Sequence, residues 1–140
     1  PEDYLPDVHY RLIFYKRIAS ASNEEEIDLL QIEMIDRFGL LPDALKRLFV
    51  ISSLKLECES LGIHTVELGE AKGKLIFANS TSIDPMTIVK LVQDQHDTFQ
   101  FEGTSSLLIE EQLVNFEDRV VFLKNLIKTL TSSDSQKISA

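Results

Sequence analysis

Cysteine occurs once in these 140 residues, at Cys58. No internal disulfide can form, and that usage suits a reducing cytoplasm. Histidine is nearly as scarce: His9, His64 and His96 stand far apart with no ligand-spaced pair among them, which argues against a metal site. His96 and Asp97 are neighbours, and adjacent side chains point apart on either a helix or a strand. No apolar run approaches the ~20 residues that a membrane-spanning helix requires. Positive charge is the minority, with 14 Lys and Arg against 23 Asp and Glu and a formal charge of -9. Nucleic-acid binding draws most of its affinity from cations meeting phosphates, so direct DNA binding by this chain is not expected. Glycine is sparse as well, and the one Gly-Lys step, Gly73-Lys74, runs into Leu75. It lacks the second glycine and the magnesium-binding hydroxyl of a P-loop, which argues against ATP binding. No internal repeat is present.

What remains is ordinary globular composition, 44% hydrophobic and 26% charged, enough to build a core in one domain. That domain is expected over residues 1–130, with a polar flexible tail over residues 131–140. A chain that begins at Pro1 is expected to be a piece of a longer one.

Helical spacing begins after Pro6-Asp7, a helix-start pair, with Val8, Leu12, Tyr15 and Ala19 in step and Ile18 beside them. Ser20-Ala21-Ser22-Asn23 breaks this first helix. A second follows with Ser22 or Asn23 as its N-cap; either choice puts a glutamate, Glu25 or Glu26, at the capping-box spacing. Ile27, Leu30, Met34 and Phe38 form its apolar face, and Gly39 suits a left-handed end. Pro42 is expected at the N1 position of a third helix. Leu45, Leu48, Phe49, Val50, Ile51, Leu54 and Leu56 make that helix apolar over most of its circumference, and Gly62 ends it.

The period then changes from helical to alternating. Residues 64–68 and 74–78 read as strands around a hairpin turn at 69–73. Asp84-Pro85 caps a short helix, and 98–102 and 106–109 read as two more strands around Gly103. A final helix is expected from Gln112 to Leu130, with Leu113, Phe116, Val120, Leu123, Ile127 and Leu130 as its packing stripe. The fold class is therefore α+β: an N-terminal three-helix segment, a small mostly antiparallel four-stranded sheet with one crossover helix, and a long C-terminal helix. Strand order is not readable from the pattern.

Catalytic chemistry finds little support. Cys58 lies near the end of its helix between Glu57 and Glu59, a setting that disfavours the thiolate, so it reads as a small core residue. The second helix is the distinctive feature. From Ser22 to Phe38 it holds six carboxylates and one basic residue, Arg37. At 100° per residue, Glu25, Leu29, Glu33 and Asp36 fall within an arc of about 80° opposite the apolar face, with Ile32 at its edge. Two readings stay open. Leu29 and Ile32 pack on a neighbouring helix while the acids are solvated, or they form a contact patch with an apolar centre and carboxylates for arginine partners.

Several segments also carry a family pattern. Tyr4-Leu5-Pro6-Asp7, Arg11-Leu12, Tyr15-Lys16-Arg17-Ile18-Ala19 and Asp36-Arg37-Phe38-Gly39-Leu40-Leu41-Pro42, at their mutual spacing, resemble the C-terminal domain of the bacterial transcription-repair coupling factor. The similarity continues more weakly through Leu61-Gly62-Ile63, the strand ending at Phe77 and the Leu107 segment. It covers nearly the whole chain and is most specific in the first 42 residues. The resemblance implies a parent protein that is an ATP-driven DNA translocase, using ATP and magnesium in upstream modules, pushing on stalled RNA polymerase and recruiting UvrA. It implies that this domain has no catalytic role and no cofactor of its own. The domain would be an autoinhibitory clamp that docks on a UvrB-like N-terminal module of the same protein and masks the UvrA-binding surface. Glu33 and Asp36 match the family's docking positions and would meet arginines there, and Glu25 and Leu29 share their helix face. The other reading is a general acidic interaction module for another basic protein.

Overall fold

The computed structural model describes the backbone of residues 8–139 and the side chains of residues 12–131. The expected helix start at Pro6-Asp7 lies outside the described residues. Two compact units divide at the Glu57/Cys58 step.

The first unit is helical: α1 spans Val8–Ala19, α2 spans Glu24–Phe38, and α3 spans Asp43–Ser60, running past the unit boundary. Asn23 is the N-cap of α2. Its side-chain oxygen accepts from the Glu26 N–H at 2.8 Å, while the Glu26 carboxylate accepts from the Ser22 backbone N–H at 2.9 Å and its hydroxyl at 3.0 Å. Orphan donors at the helix start are thus satisfied from both sides. Gly39 ends α2, its N–H donating to the Ile35 carbonyl at 2.9 Å. Its φ of 93° with ψ of -162° is positive-φ backbone, though extended in ψ rather than the left-handed helical pair expected. Pro42 sits one residue earlier than the expected N1: its carbonyl accepts from the Lys46 N–H at 3.0 Å, the first helical bond, which makes it the cap.

Phe14, Ile18, Ile27, Leu30, Met34, Leu41, Leu45 and Phe49 form the core of this unit. On α2 the buried positions are Ile27, Leu30 and Met34, as the spacing predicts. On α1 the packing stripe differs from the expected one. Phe14 and Ile18 are buried, whereas Leu12 is 59% exposed and Ala19 is exposed. Apolar residues lie almost all round α1, so their spacing selects no face; the edge-on packing of Phe14 against Phe38, with ring centroids 5.6 Å apart, turns α1 the way observed. On α3, Ile51 is exposed.

The second unit carries β1 (Ile63–Leu68), β2 (Lys72–Phe77), α4 (Pro85–Asp94), β3 (Phe99–Glu102), β4 (Ser106–Glu110) and α5 (Phe116–Ser139). The strands form one antiparallel sheet in the order β1-β2-β4-β3, with an irregularity between Ile63 and Thr65. α4, capped by Asp84 with Pro85 in its first turn, carries the chain from the interior strand β2 to the edge strand β3. One sheet face is buried through Ile63, Leu75, Phe77, Phe99, Leu107 and Ile109. The other is polar enough to be solvated, with Lys74 and Glu102 paired at 2.9 Å across it. Gly62, φ 75°, turns the chain from α3 into β1. A Cβ there would lie 2.3 Å from the Thr81 Cα. The Gly62 carbonyl accepts from the Ala78 N–H at 2.8 Å, and the Leu61 carbonyl accepts from the Thr81 hydroxyl at 2.6 Å.

α5 begins four residues later than Gln112. The preceding segment is held extended: the Glu111 N–H donates to the Ala71 carbonyl and the Leu113 N–H to the Glu70 carbonyl, at 3.1 and 2.7 Å. That pairing holds the backbone extended as far as Leu113, and Asn115 caps the helix that follows, accepting from the Asp118 N–H at 2.8 Å. The α5 backbone is helical to Ser139, past the expected end at Leu130; the residues read as a tail have side chains outside those described, Thr131 excepted. Leu123, Leu126, Ile127 and Leu130 are buried along it, and Phe122 stacks on Phe99 with centroids 6.1 Å apart.

Candidate functional site

With Ile27, Leu30 and Met34 turned into the core, α2 presents its opposite side outward. Leu29 and Ile32 are each 61% exposed and Ile35 is 44% exposed. Glu25, Asp28 and Asp36 are exposed among them. Of the two readings left open for Leu29 and Ile32, packing against a neighbouring helix is therefore not what is observed. Two leucine-sized side chains in water give up the hydrophobic stabilisation of about 1.5–3 kcal/mol each that full burial would bring. Their position among carboxylates gives the face an apolar centre with an acidic rim.

Glu33 stands apart from the other three predicted residues. Its Oε2 accepts from Arg17 Nη1 at 2.7 Å and its Oε1 from Arg17 Nη2 at 3.1 Å, a two-pronged pair joining α1 to α2. Arg37 Nη1 approaches Oε2 at 3.8 Å from the next turn of the helix. The hydrogen bonds from Arg17, followed by the nearby positive charges, outweigh burial and hold the Glu33 carboxyl below its ordinary value. The same hydrogen bonds raise Arg17 above its own. Arg17 is steadied from beneath by the ring of Phe14, 5.3 Å from the guanidinium carbon to the ring centroid. The structure thus leaves Glu25, Leu29 and Asp36 open on one face and places Glu33 at its border, already engaged by an arginine of its own unit.

Arg17 and Ile35 are additions to the site that helix geometry alone did not supply. Ile35 lies on the flank of the outward face and was absent from the predicted patch. Arg17 is sixteen residues away in sequence, and nothing in the local pattern of α1 points to Glu33 as its partner.

Elsewhere, Cys58 is buried, in accord with a core role. Among the described residues no three His, Cys, Asp or Glu side chains are grouped so as to hold a metal ion. No helix among them is long and apolar enough to cross a membrane.

Known proteins resemble this chain in sequence and in fold. The family model for the TRCF domain matches residues 1–88. The transcription-repair-coupling factor of Haemophilus influenzae is 37% identical over 132 residues, covering 94% of this chain and 12% of that protein. That of Escherichia coli is 36% identical over 130 residues, covering 93% of this chain and 11% of its own length. The chain therefore spans about a tenth of the curated relatives it matches. A crystal structure of the C-terminal domain of a transcription-repair coupling factor superposes with a TM-score of 0.70 at 23% identity, covering 94% of this chain and 88% of that one, which establishes the fold. Over residues 1–88 by family model, and over most of its length by its relatives, this chain belongs to the TRCF domain family of transcription-repair coupling factors.

Proposed function

We propose that this chain is a non-catalytic regulatory domain at the C-terminus of a protein that couples transcription to DNA repair. Its α2 face docks on a basic surface of another module in the same polypeptide, the UvrB-like one, and masks the surface to which UvrA would bind. The nucleotide chemistry and the forces on RNA polymerase belong to other modules of that longer protein, which would hold the ATP and magnesium. The observation that carries this reading is the outward side of α2, where Leu29, Ile32 and Ile35 lie exposed among Glu25, Asp28 and Asp36. Apolar centres with polar rims characterise protein interfaces, and carboxylates suit planar arginine donors.

Docked and open forms would then be two populations separated by the intramolecular docking energy, and a partner that binds only the open form would draw the equilibrium toward it. A few charge-assisted hydrogen bonds of about 1.5–3 kcal/mol each are enough for such a latch while leaving it reversible.

The test is UvrA binding by the full-length protein. Glu33→Lys is a poor probe, because it would set a second cation against Arg17 and disturb the helix pairing itself. Leu29→Ser with Asp36→Lys alters only exposed positions, where substitutions shift stability by about 0.5 kcal/mol. The double variant should bind UvrA more tightly than wild type with an unchanged circular dichroism spectrum. Equal UvrA affinity in the two proteins would rule the docking reading out.

A further inference from the structure

We propose that Arg17 is an internal competitor for Glu33, so that the docking strength of the α2 face is set by an arginine of this domain as well as by its partner. This rests on the docking reading above and specifies how that same face is regulated.

The geometry is specific. Both oxygens of Glu33 are taken by the two prongs of Arg17, at 2.7 and 3.1 Å. A carboxylate offers about four acceptor positions, and a forked arginine occupies two. A second cationic group, Arg37, already stands 3.8 Å from Oε2 on the α2 side. An incoming guanidinium would therefore meet two like charges at Glu33 and a carboxylate that is half committed. Arg17 is also favoured in place by the ring of Phe14 beneath it, which is buried and packed edge-on against Phe38. Asp36, one turn along, is exposed and has no ion pair among the described residues. Within one acidic face, then, Asp36 is available while its neighbour Glu33 is spoken for. A docked arginine reaches Glu33 only by sharing it with Arg17 or by taking it.

The pair stands partly in water, with side-chain exposures of 45% for Arg17 and 35% for Glu33. Exchange of partners at such a site is worth a small factor, roughly two- to five-fold in the docking equilibrium. That is the range in which a restraint adjusts a latch without abolishing it.

The experiment uses the full-length protein, with side-chain footprinting of Leu29 and Ile32 reporting how much of the α2 face is covered, at a salt concentration giving half protection in wild type. Arg17→Gln frees Glu33 and should shift the covered form up by roughly two- to five-fold. Arg17→Lys is the decisive variant, since it keeps the charge and gives up the planar fork. It should shift protection in the same direction by a smaller amount. Lys16→Gln removes an equal charge from the same helix and should move protection less than Arg17→Lys does. Melting curves of all three identify any variant that has lost the α1–α2 pairing; should Arg17→Gln do so, Arg17→Lys alone decides. If Arg17→Lys protects no better than wild type, or Arg17→Gln does no more than Lys16→Gln, Arg17 is not a competitor. Those outcomes leave docking itself intact. If instead Leu29→Ser with Asp36→Lys leaves the protection of Ile32 unchanged, there is no docking at this face, and the competition falls with it.

Discussion

The Glu33 carboxylate is engaged inside its unit and, under the proposed docking, would also face a partner. Internally it ties α1 to α2 through Arg17, and its ionisation carries a pH signature with a definite sign. Its folded-state pKa is held below the ordinary 4.5 by the hydrogen bonds from Arg17. The pair therefore stabilises the fold fully where an unfolded glutamate is already ionised, above that value, and the contribution is lost as pH falls through the folded one. Because both partners are more than a third exposed to screening solvent, the amount is about 0.2–1 kcal/mol. Chemical denaturation of wild type and Arg17→Gln from about pH 7 to about pH 2 should show this difference at neutrality. The two stability curves should meet only once the pH has passed below the folded value. A gap that persisted undiminished in acid would mean that Arg17 stabilises through its stacking on Phe14 and not through Glu33.

At the scale of elements, two glycines that end helices answer to different constraints. Gly39, φ 93°, has no atom within 4 Å of where a Cβ would stand, so alanine there meets only backbone strain. Such strain costs about 1–3 kcal/mol. Gly62, φ 75°, is also at positive φ and in addition would drive its Cβ to 2.3 Å from Thr81 Cα and 2.9 Å from Thr81 N, both backbone atoms. Gly62→Ala should therefore cost clearly more than Gly39→Ala, about 3 kcal/mol or above, read as the difference in chemical-denaturation midpoints. Both glycines were legible as helix ends; only the structure separates open space from close approach. The same division runs through the other elements. Local chemistry is readable, so Asn23, Asp84 and the strand alternation lie where the sequence places them. Long-range pairing is not. Nothing in the pattern around Glu33 names Arg17, sixteen residues earlier, and nothing near Gln112 says that the amides on either side of it pair with carbonyls of the β1–β2 turn. The buried face of α1 is not legible for a related reason: apolar residues on nearly every side leave its orientation to be decided by what packs against it. The order β1-β2-β4-β3 was beyond reach because α4 can return the chain to either side of the sheet.

For the whole molecule, the dominant quantity is charge. A surplus of nine negative charges over 140 residues gives a long-range attraction to any basic partner, and salt weakens it. Screening shortens the reach of surface charges from about 10 Å at 0.1 M to about 3 Å at 1 M ionic strength. Docking through α2 should accordingly open as salt is raised over that range, seen as increased labelling of Leu29 and Ile32 in the full-length protein. Because the centre of the face is apolar, Leu29→Ser should weaken docking at both salt concentrations. Docking that was indifferent to salt would assign the latch to the apolar side chains alone.

The sheet of the second unit bears on how the protein behaves in concentrated solution. Its interior strands, β2 and β4, have both flanks paired, which leaves β1 and β3 as the margins. β3 offers four residues, and β1 is broken in register at its beginning and carries the exposed Glu67. A neighbouring molecule seeking to zip its own strand alongside finds a stub on one border and a kinked, charged ribbon on the other. Crowding should therefore produce little fibre growth from this half of the chain, whatever happens at the acidic helix.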